Sequence, residues 1–342
     1  MLSSMDARVE EREEILATKS RKFSLDQERI VLAIAVVLFV LFSVFLNGFA
    51  DPDNLLTLLQ GVSIIGVLGI AMAIVVIGRG IDLSLVAVAC MPVAWFIVQV
   101  QAGASLEWAG FTALLAAVIV GLANGWLIAY AEVPSIFATI ATGTITYGAV
   151  QFFFVPTDIV PFPPALKQLS QFWMSRVYGV PTTVIFFALV TVAAWLFLRY
   201  TRIGRFIYAI GDNPQAARTT GLPVRPILLV QYTLASVIAL VAGIILASTV
   251  SSGNTRLFNS TMIYDVILVV VIGGIGLSGG KGRIRNVIIG TALIGILLNG
   301  MTIMNLSFIA QNIIKASILL VAIIFDSIIN PRDEQTSQQG DI

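Results

Sequence analysis

The chain has no histidine, one cysteine and very little charge, and each shortage removes a class of protein. Without histidine there is no imidazole to hold a metal or to act as a base, and no metal site is expected. With Cys90 alone, a disulfide framework within the chain is impossible. Its place inside an apolar run makes it a small packing residue. Charged residues make up only 11% of the 342 positions, whereas a soluble domain carries about 25%. That is too few to cover a soluble surface, so most of the exterior is expected to face lipid. About 29 mostly polar residues precede the first apolar run, and no small-x-small site follows it, so no cleaved leader is expected.

Apolar side chains are abundant instead. They form 58% of the chain, and the mean hydropathy is +0.95. Apolar runs recur that are long enough, at about 1.5 Å per residue, to cross a hydrocarbon core of about 30 Å. The fold class expected is all-α, a polytopic transmembrane bundle of about ten segments. They run Ile30–Phe49, Leu55–Ile77, Leu83–Val100, Leu106–Tyr130, Pro134–Val155, Val180–Tyr200, Pro226–Val250, Ile263–Ser278, Asn286–Leu306 and Phe308–Ile329. The third contains Pro92, and the eighth is short and ends in glycines, so either is a candidate for an interrupted crossing. The organisation is then a tail 1–29, a membrane domain 30–329 containing a loop 200–226, and a tail 330–342.

The distribution of Lys and Arg sets the orientation. With the N-terminus in the cytoplasm, sixteen fall on that side: Arg8, Arg12, Lys19, Arg21, Lys22, Arg29, Arg79, Arg199, Arg202, Arg205, Arg218, Arg225, Lys281, Arg283, Arg285 and Arg332. Only Lys167, Arg176 and Arg256 fall opposite. This positive-inside bias favours an even number of crossings with both termini cytoplasmic.

One cytoplasmic stretch, "YAIGDNPQAARTTGLPV" (Tyr208–Val224), is polar between two apolar runs. Asp212 or Asn213 can cap a helix, and Pro214 fits its first position, where no amide donor is needed. Gly221 can take the left-handed conformation that stops it, and Pro223 bars continuation. A short helix over Asn213–Thr220 is expected, with Ala216 and Ala217 leaving room for another surface. An ordinary loop helix lying on lipid headgroups would have the same signature.

This stretch resembles the cytoplasmic loop of permease subunits from sugar-importing ABC transporters of the ribose, xylose, galactose and arabinose type. Three others resemble that family in the same order: "GRGIDLSLVAV" (Gly78–Val88), "VPSIFATIATGTITYGA" (Val133–Ala149) and "IYDVILVVVIGGIGLSGGKGRI" (Ile263–Ile284). The pattern departs at Arg79 and Asp212, where the family usually has glycine, at Leu85-Val86-Ala87 and at Arg285-Asn286. The resemblance implies that the chain performs no chemistry and has no catalytic residues or cofactor of its own. It implies a second permease subunit, identical or paralogous, a cytoplasmic ATPase carrying ATP, and an extracytoplasmic sugar-binding protein, all at a bacterial inner membrane. No nucleic-acid partner is implied. Asp212, Asn213, Pro214, Ala216, Ala217, Arg218 and Gly221 would form the element that couples to the ATPase. Arg218 would be its ion-pair donor and Ala216 and Ala217 its close-contact face. The match of "LSGGK" (Leu277–Lys281) to the ATPase signature is read as a glycine-rich turn, because no phosphate-binding loop occurs in the chain.

Polar groups at depth are costly and invite a functional reading. Asp82 and Ser84 follow a glycine-rich break, where Asp82 can serve as a helix cap or line a path. Asp265 and Lys315 can pair within the membrane, or Lys315 can snorkel. Asn124, Gln151, Asn299, Asn305 and Gln311 suit sugar hydroxyls and helix–helix bonding equally, with Asn124 placed for packing beside Gly121 and Gly125. Asn299 and Gln311 are the candidates for the path. Phe152, Phe153 and Phe154 fit an outer gate or a lipid belt, and Val155–Pro164 fits a docking loop. "GIDLS" at Gly80–Ser84 is echoed by "GIGLS" at Gly274–Ser278. Two other readings stay open: a permease for branched-chain amino acids or nucleosides, and an ion-coupled secondary transporter.

Overall fold

The computed structural model describes residues 28–329. The Arg and Lys of the two tails therefore lie outside the described residues, apart from Arg29. The described chain runs α1 (Glu28–Phe45), α2 (Pro52–Ile77), α3 (Leu85–Gln101), α4 (Leu106–Ala129), α5 (Ser135–Phe153), β1 (Ile159–Pro161), α6 (Lys167–Met174), β2 (Arg176–Val177) and β3 (Val180–Pro181). It continues with α7 (Thr182–Tyr200), α8 (Arg202–Asp212), α9 (Pro214–Thr219), α10 (Val224–Val250), β4 (Ser252–Asn254), α11 (Met262–Ile272), α12 (Ile284–Ile303) and α13 (Phe308–Ile329).

Eight of these helices are long and apolar enough to cross a membrane, while α3 and α11 are shorter apolar helices. The ten expected segments thus resolve into eight full-length helices and two short ones. Pro92 lies inside α3 without ending it. The eighth segment does not reach Ser278, because α11 stops at Ile272 and a glycine-rich stretch carries the chain on to α12.

The bundle is built around α2, most of whose length is buried. It packs on α10, α12, α7 and α11. Small residues decide which helices come closest. On α4 the buried positions are Ala109, Ala113, Ala117, Gly121, Asn124, Gly125 and Ala129, a stripe with the four-residue spacing of one helix face. A Cβ added at Gly121 would lie 2.5 Å from Thr233 Cα, and one at Gly125 would lie 2.7 Å from Leu229 Cα. Only glycine lets α4 lie this close to α10. The opposite face of α4 exposes Trp108, Phe111, Leu115, Ile119, Leu122 and Trp126, as a lipid-facing surface requires.

The connections gather at two ends. At one end lie the breaks 78–84 and 273–283, the turn 130–134, and α8 and α9. Gly280 N donates to Ile77 O at 2.8 Å, and Tyr208 OH donates to Gly282 O at 2.8 Å, tying these pieces together. At the other end β1 pairs antiparallel with β4, Ile159 opposite Asn254. There Arg256 meets Asp158 at 2.7 Å, and Gln101 donates to Pro161 O at 2.7 Å. Arg79, Arg199, Arg202, Arg205, Arg218, Arg225, Lys281, Arg283 and Arg285 belong to the first end. Lys167, Arg176 and Arg256 belong to the second.

Candidate functional site

The arginine-bearing end is assembled by close backbone approach. A Cβ at Gly211, in the last turn of α8, would collide with Ile77 O, and one at Gly280 would lie 2.6 Å from Asp212 Cα. Gly280 also has φ +70°, a conformation that a side chain disfavours. α8 is strongly amphipathic, with Gly204, Ile207, Ile210 and Gly211 buried and Arg202, Arg205 and Asp212 exposed. It therefore lies along this end between the end of α7 and the two breaks. The Tyr208 hydroxyl is pushed above its ordinary value by burial, partly offset by Arg283. It stays protonated and donates to the second break.

α9 follows directly. Asn213 is its cap, the side chain accepting from Ala216 N at 2.9 Å. Gly221, at φ +79°, closes it, with Leu222 N donating to Ala217 O at 3.0 Å. Of the two cap candidates Asn213 takes the role, and Asp212 is the last residue of α8. One expectation needs correction. Ala217 is buried at 4% exposure and faces this chain's own interior, so it cannot lie on an outer contact face. Over Asn213–Thr220 the exposed positions are Asn213, Gln215, Ala216, Arg218, Thr219 and Thr220. Arg218 is 3.9 Å from Glu132 and half exposed, a contact of little energetic weight.

The first break holds a buried polar cluster. Asp82 Oδ1 accepts from Ser84 N at 2.9 Å and from Ser84 Oγ at 2.6 Å. Asn124 of α4 donates to Ser84 Oγ at 2.8 Å, and Thr142 of α5 donates to Asn124 Oδ1. Leu83 N donates to Thr139 Oγ1 at 3.1 Å. Asp82, Ser84, Asn124 and Thr139 are each fully buried. This network pins α4 and α5 to the start of α3, and neither Asp82 nor Ser84 lines an open path. In low dielectric each of these bonds is stronger than in water, and breaking one strands its partner.

The other candidates are dispersed. Asn299 and Asn54 exchange two hydrogen bonds, at 2.9 and 3.0 Å, between α12 and α2. Gln311 turns back to Leu306 O at 3.0 Å. Both are half-buried and hydrogen-bonded near helix ends. Gln151 reaches Asp158 at 3.5 Å, and Asn305 sits at φ 53° just beyond α12. Phe152, Phe153 and Phe154 are all exposed, and Phe154 also packs on Trp95 with centroids 4.8 Å apart. Lys315 Nζ lies 2.8 Å from Asp265 Oδ1 with both side chains nearly buried, joining α13 to the first turn of α11. No cluster of three or more metal-ligating side chains occurs among the described residues.

Comparison with known proteins gives this architecture its class. The family model described as branched-chain amino acid transport system / permease component matches residues 54–325. The chain belongs to that family and is a multi-pass, all-α membrane protein. It is 32% identical over 295 residues to the ribose import permease protein of Escherichia coli (strain K12), covering 85% of this chain and 91% of that one. It is also 32% identical over 292 residues to the ribose import permease protein of Bacillus subtilis (strain 168), covering 85% and 89%. The galactofuranose transporter permease protein of E. coli (strain K12) is 30% identical over 279 residues, covering 82% and 80%.

Proposed function

We propose that the chain is the membrane-spanning subunit of an ATP-driven importer and forms the path for a sugar or related polyol. In this reading a second permease subunit completes the path, a separate cytoplasmic ABC ATPase binds and hydrolyses ATP, and an extracytoplasmic binding protein delivers the cargo. α3 and α11 complete ten crossings, both termini are cytoplasmic, and the membrane is the bacterial inner membrane. The excess of arginine at the end that carries α8 and α9 supports this orientation. The relatives' named roles in ribose import and galactofuranose transport support the cargo class.

One observation carries the coupling role. α9 is capped at both ends and presents Gln215, Ala216, Arg218 and Thr219 outward, while Ala217 anchors it on the membrane domain. Such a helix can be pushed from outside and pass the push through α8 to both breaks. The test is Ala216→Trp, which adds bulk only to the exposed face. The variant should insert normally but lose transport and substrate-stimulated ATP hydrolysis. Wild-type stimulation in that variant would remove the coupling assignment. Affinity purification of the assembled particle should bring down an ATPase and a receptor, and ligand screening of that receptor would name the cargo.

A further inference from the structure

A polar strip runs into the membrane domain from the end that carries β1 and β4. After β4 the chain passes into the bundle rather than away from it. A Cβ at Gly253 would lie 3.3 Å from Ala94 Cα of α3, and one at Gly143, near the middle of α5, would lie 3.6 Å from the Phe258 ring. Phe258 stacks on Tyr147 of α5, with centroids 4.9 Å and planes 19° apart. Thr261 Oγ1 then donates to Asn312 Oδ1 of α13 at 3.2 Å. Residues 258–261 thus bridge α5 and α13 inside the bundle. At about 1.5 Å per residue, Tyr147 lies about 9 Å short of the end of α5, and Asn312 about 6 Å into α13. At that depth the bridge turns polar groups outward. Asn259 is exposed and Tyr264 is 55% exposed, and neither side chain makes a hydrogen bond among the described residues. Gln151, one turn along α5 from Tyr147, is half-buried, and its Oε1 has no partner. An exposed amide at such depth is costly against hydrocarbon and points to water or a polar ligand.

We propose that this strip is a water-filled wall of the cargo path and passes a neutral polyhydroxylated molecule. The charges that flank it are already paired, Arg256 with Asp158 at 2.7 Å near its mouth and Lys315 with Asp265 at 2.8 Å near its foot. The groups left to meet a ligand are the amides of Gln151 and Asn259 and the phenol of Tyr264. Amides and phenols both give and accept hydrogen bonds, as the hydroxyls of a polyol require. None of them carries a charge to hold an anion or a cation. The inference rests on the importer reading, in which the second permease subunit closes the strip off from lipid.

The test places single thiols in the full chain carrying Cys90→Ala, which removes the one native cysteine. Asn259→Cys and Tyr264→Cys probe the strip. Leu189→Cys is the lipid-facing control, since Leu189 is 62% exposed about 10 Å into α7. Open membrane fragments holding the assembled importer are treated with a cationic and an anionic methanethiosulfonate, neither of which crosses a bilayer. The strip cysteines should react about tenfold or more faster than Leu189→Cys, because the reactive thiolate forms in water and not in hydrocarbon. Relative to a free thiol, the two reagents should agree within about threefold, since a charged wall shifts such rates about tenfold or more. The wall is overturned if a strip cysteine in an inserted variant reacts no faster than Leu189→Cys. The neutral cargo class is overturned if one reagent is strongly favoured over the other. Should one strip variant fail to insert, the other decides. Labelling needs neither ATP nor cargo. Slow labelling beside ATP-driven uptake would therefore sink this inference alone, and fast labelling without ATP-dependent uptake would sink the importer reading alone.

Discussion

The two breaks of the molecule share a five-residue echo, Gly80–Ser84 and Gly274–Ser278, yet they are held in different ways. The first carries Asp82 at its centre and is locked by side chains from α4 and α5. The second carries Gly276 at the same place and is held largely through its backbone. Asn286 donates to Gly273 O at 2.7 Å, Asp326 Oδ2 accepts from Leu277 N at 3.1 Å, and Tyr208 donates to Gly282 O. The first break is therefore an internal fixed point. The second is a junction at which α8, α12 and α13 all take hold of one loop. In the proposed coupling, a push on α9 would reach the second break through α8 and the Tyr208–Gly282 hydrogen bond, and would meet the first as a rigid stop.

The strongest way to break this contrast lies on α11, the short arm of the second break. Lys315 is the cationic partner of Asp265 there, and its removal would leave a nearly buried carboxylate without a cation. Lys315→Met should cost about 3–5 kcal/mol, seen as loss of folded protein in detergent thermal melts. Exchange of the two charges, Asp265→Lys with Lys315→Asp, should recover part of that loss. A double variant no better than either single one would dismiss the pair as an anchor.

At the first break the corresponding substitution is Asn124→Leu. It fits the small-residue face of α4 poorly and removes one hydrogen bond from each of Ser84 and Thr142. A loss of about 2–3 kcal/mol is expected, with slowed hydrogen exchange at 81–84 replaced by fast exchange. If exchange there stayed slow, the break would not depend on α4. Gly211→Val should act differently, because it forces α8 away from Ile77 O. Folding should survive with a smaller loss, about 1–2 kcal/mol, while transport per ATP hydrolysed falls severalfold. Unchanged coupling would mean that α8 is not part of the linkage.

How much of this the sequence discloses depends on whether the information is local. Hydropathy locates the crossings, and the Asn213-Pro214 and Gly221 signals place α9 to within a residue or two. α8 escapes notice because Ile203, Phe206, Ile207 and Ile210 are too few to form an apolar run, although their spacing of three and four is that of an amphipathic helix. That periodicity was the signal available. α6 is hidden behind the prolines of the loop that precedes it. The cluster of Ser84, Asn124 and Thr142 joins residues 40 and 18 positions apart, and Asn54 meets Asn299 across 245 positions. No spacing rule reaches that far, so these residues read as free polar groups. The inward turn of Ala217 is likewise fixed by the surface on which α9 sits, not by its own six residues.

The smallest effect expected is the most informative about the second break. Tyr208→Phe deletes one hydrogen bond to Gly282 O and leaves the ring in place, so stability should fall by only about 1 kcal/mol. Burial raises the folded-state pKa of this hydroxyl above the ordinary value of 10.0. The protonated form is therefore the one the fold favours, and its contribution is complete below pH 10 and declines as pH rises through the folded value. Wild-type transport in vesicles should thus show no Tyr208-dependent change across the physiological range. An alkaline decline in stability should be present in the wild type and reduced in Tyr208→Phe. If the second break is the movable junction, the variant should lose coupling out of proportion to its small loss of stability. If coupling and stability fall together, the two breaks are held with equal rigidity, and the movable element must be sought at α9 itself.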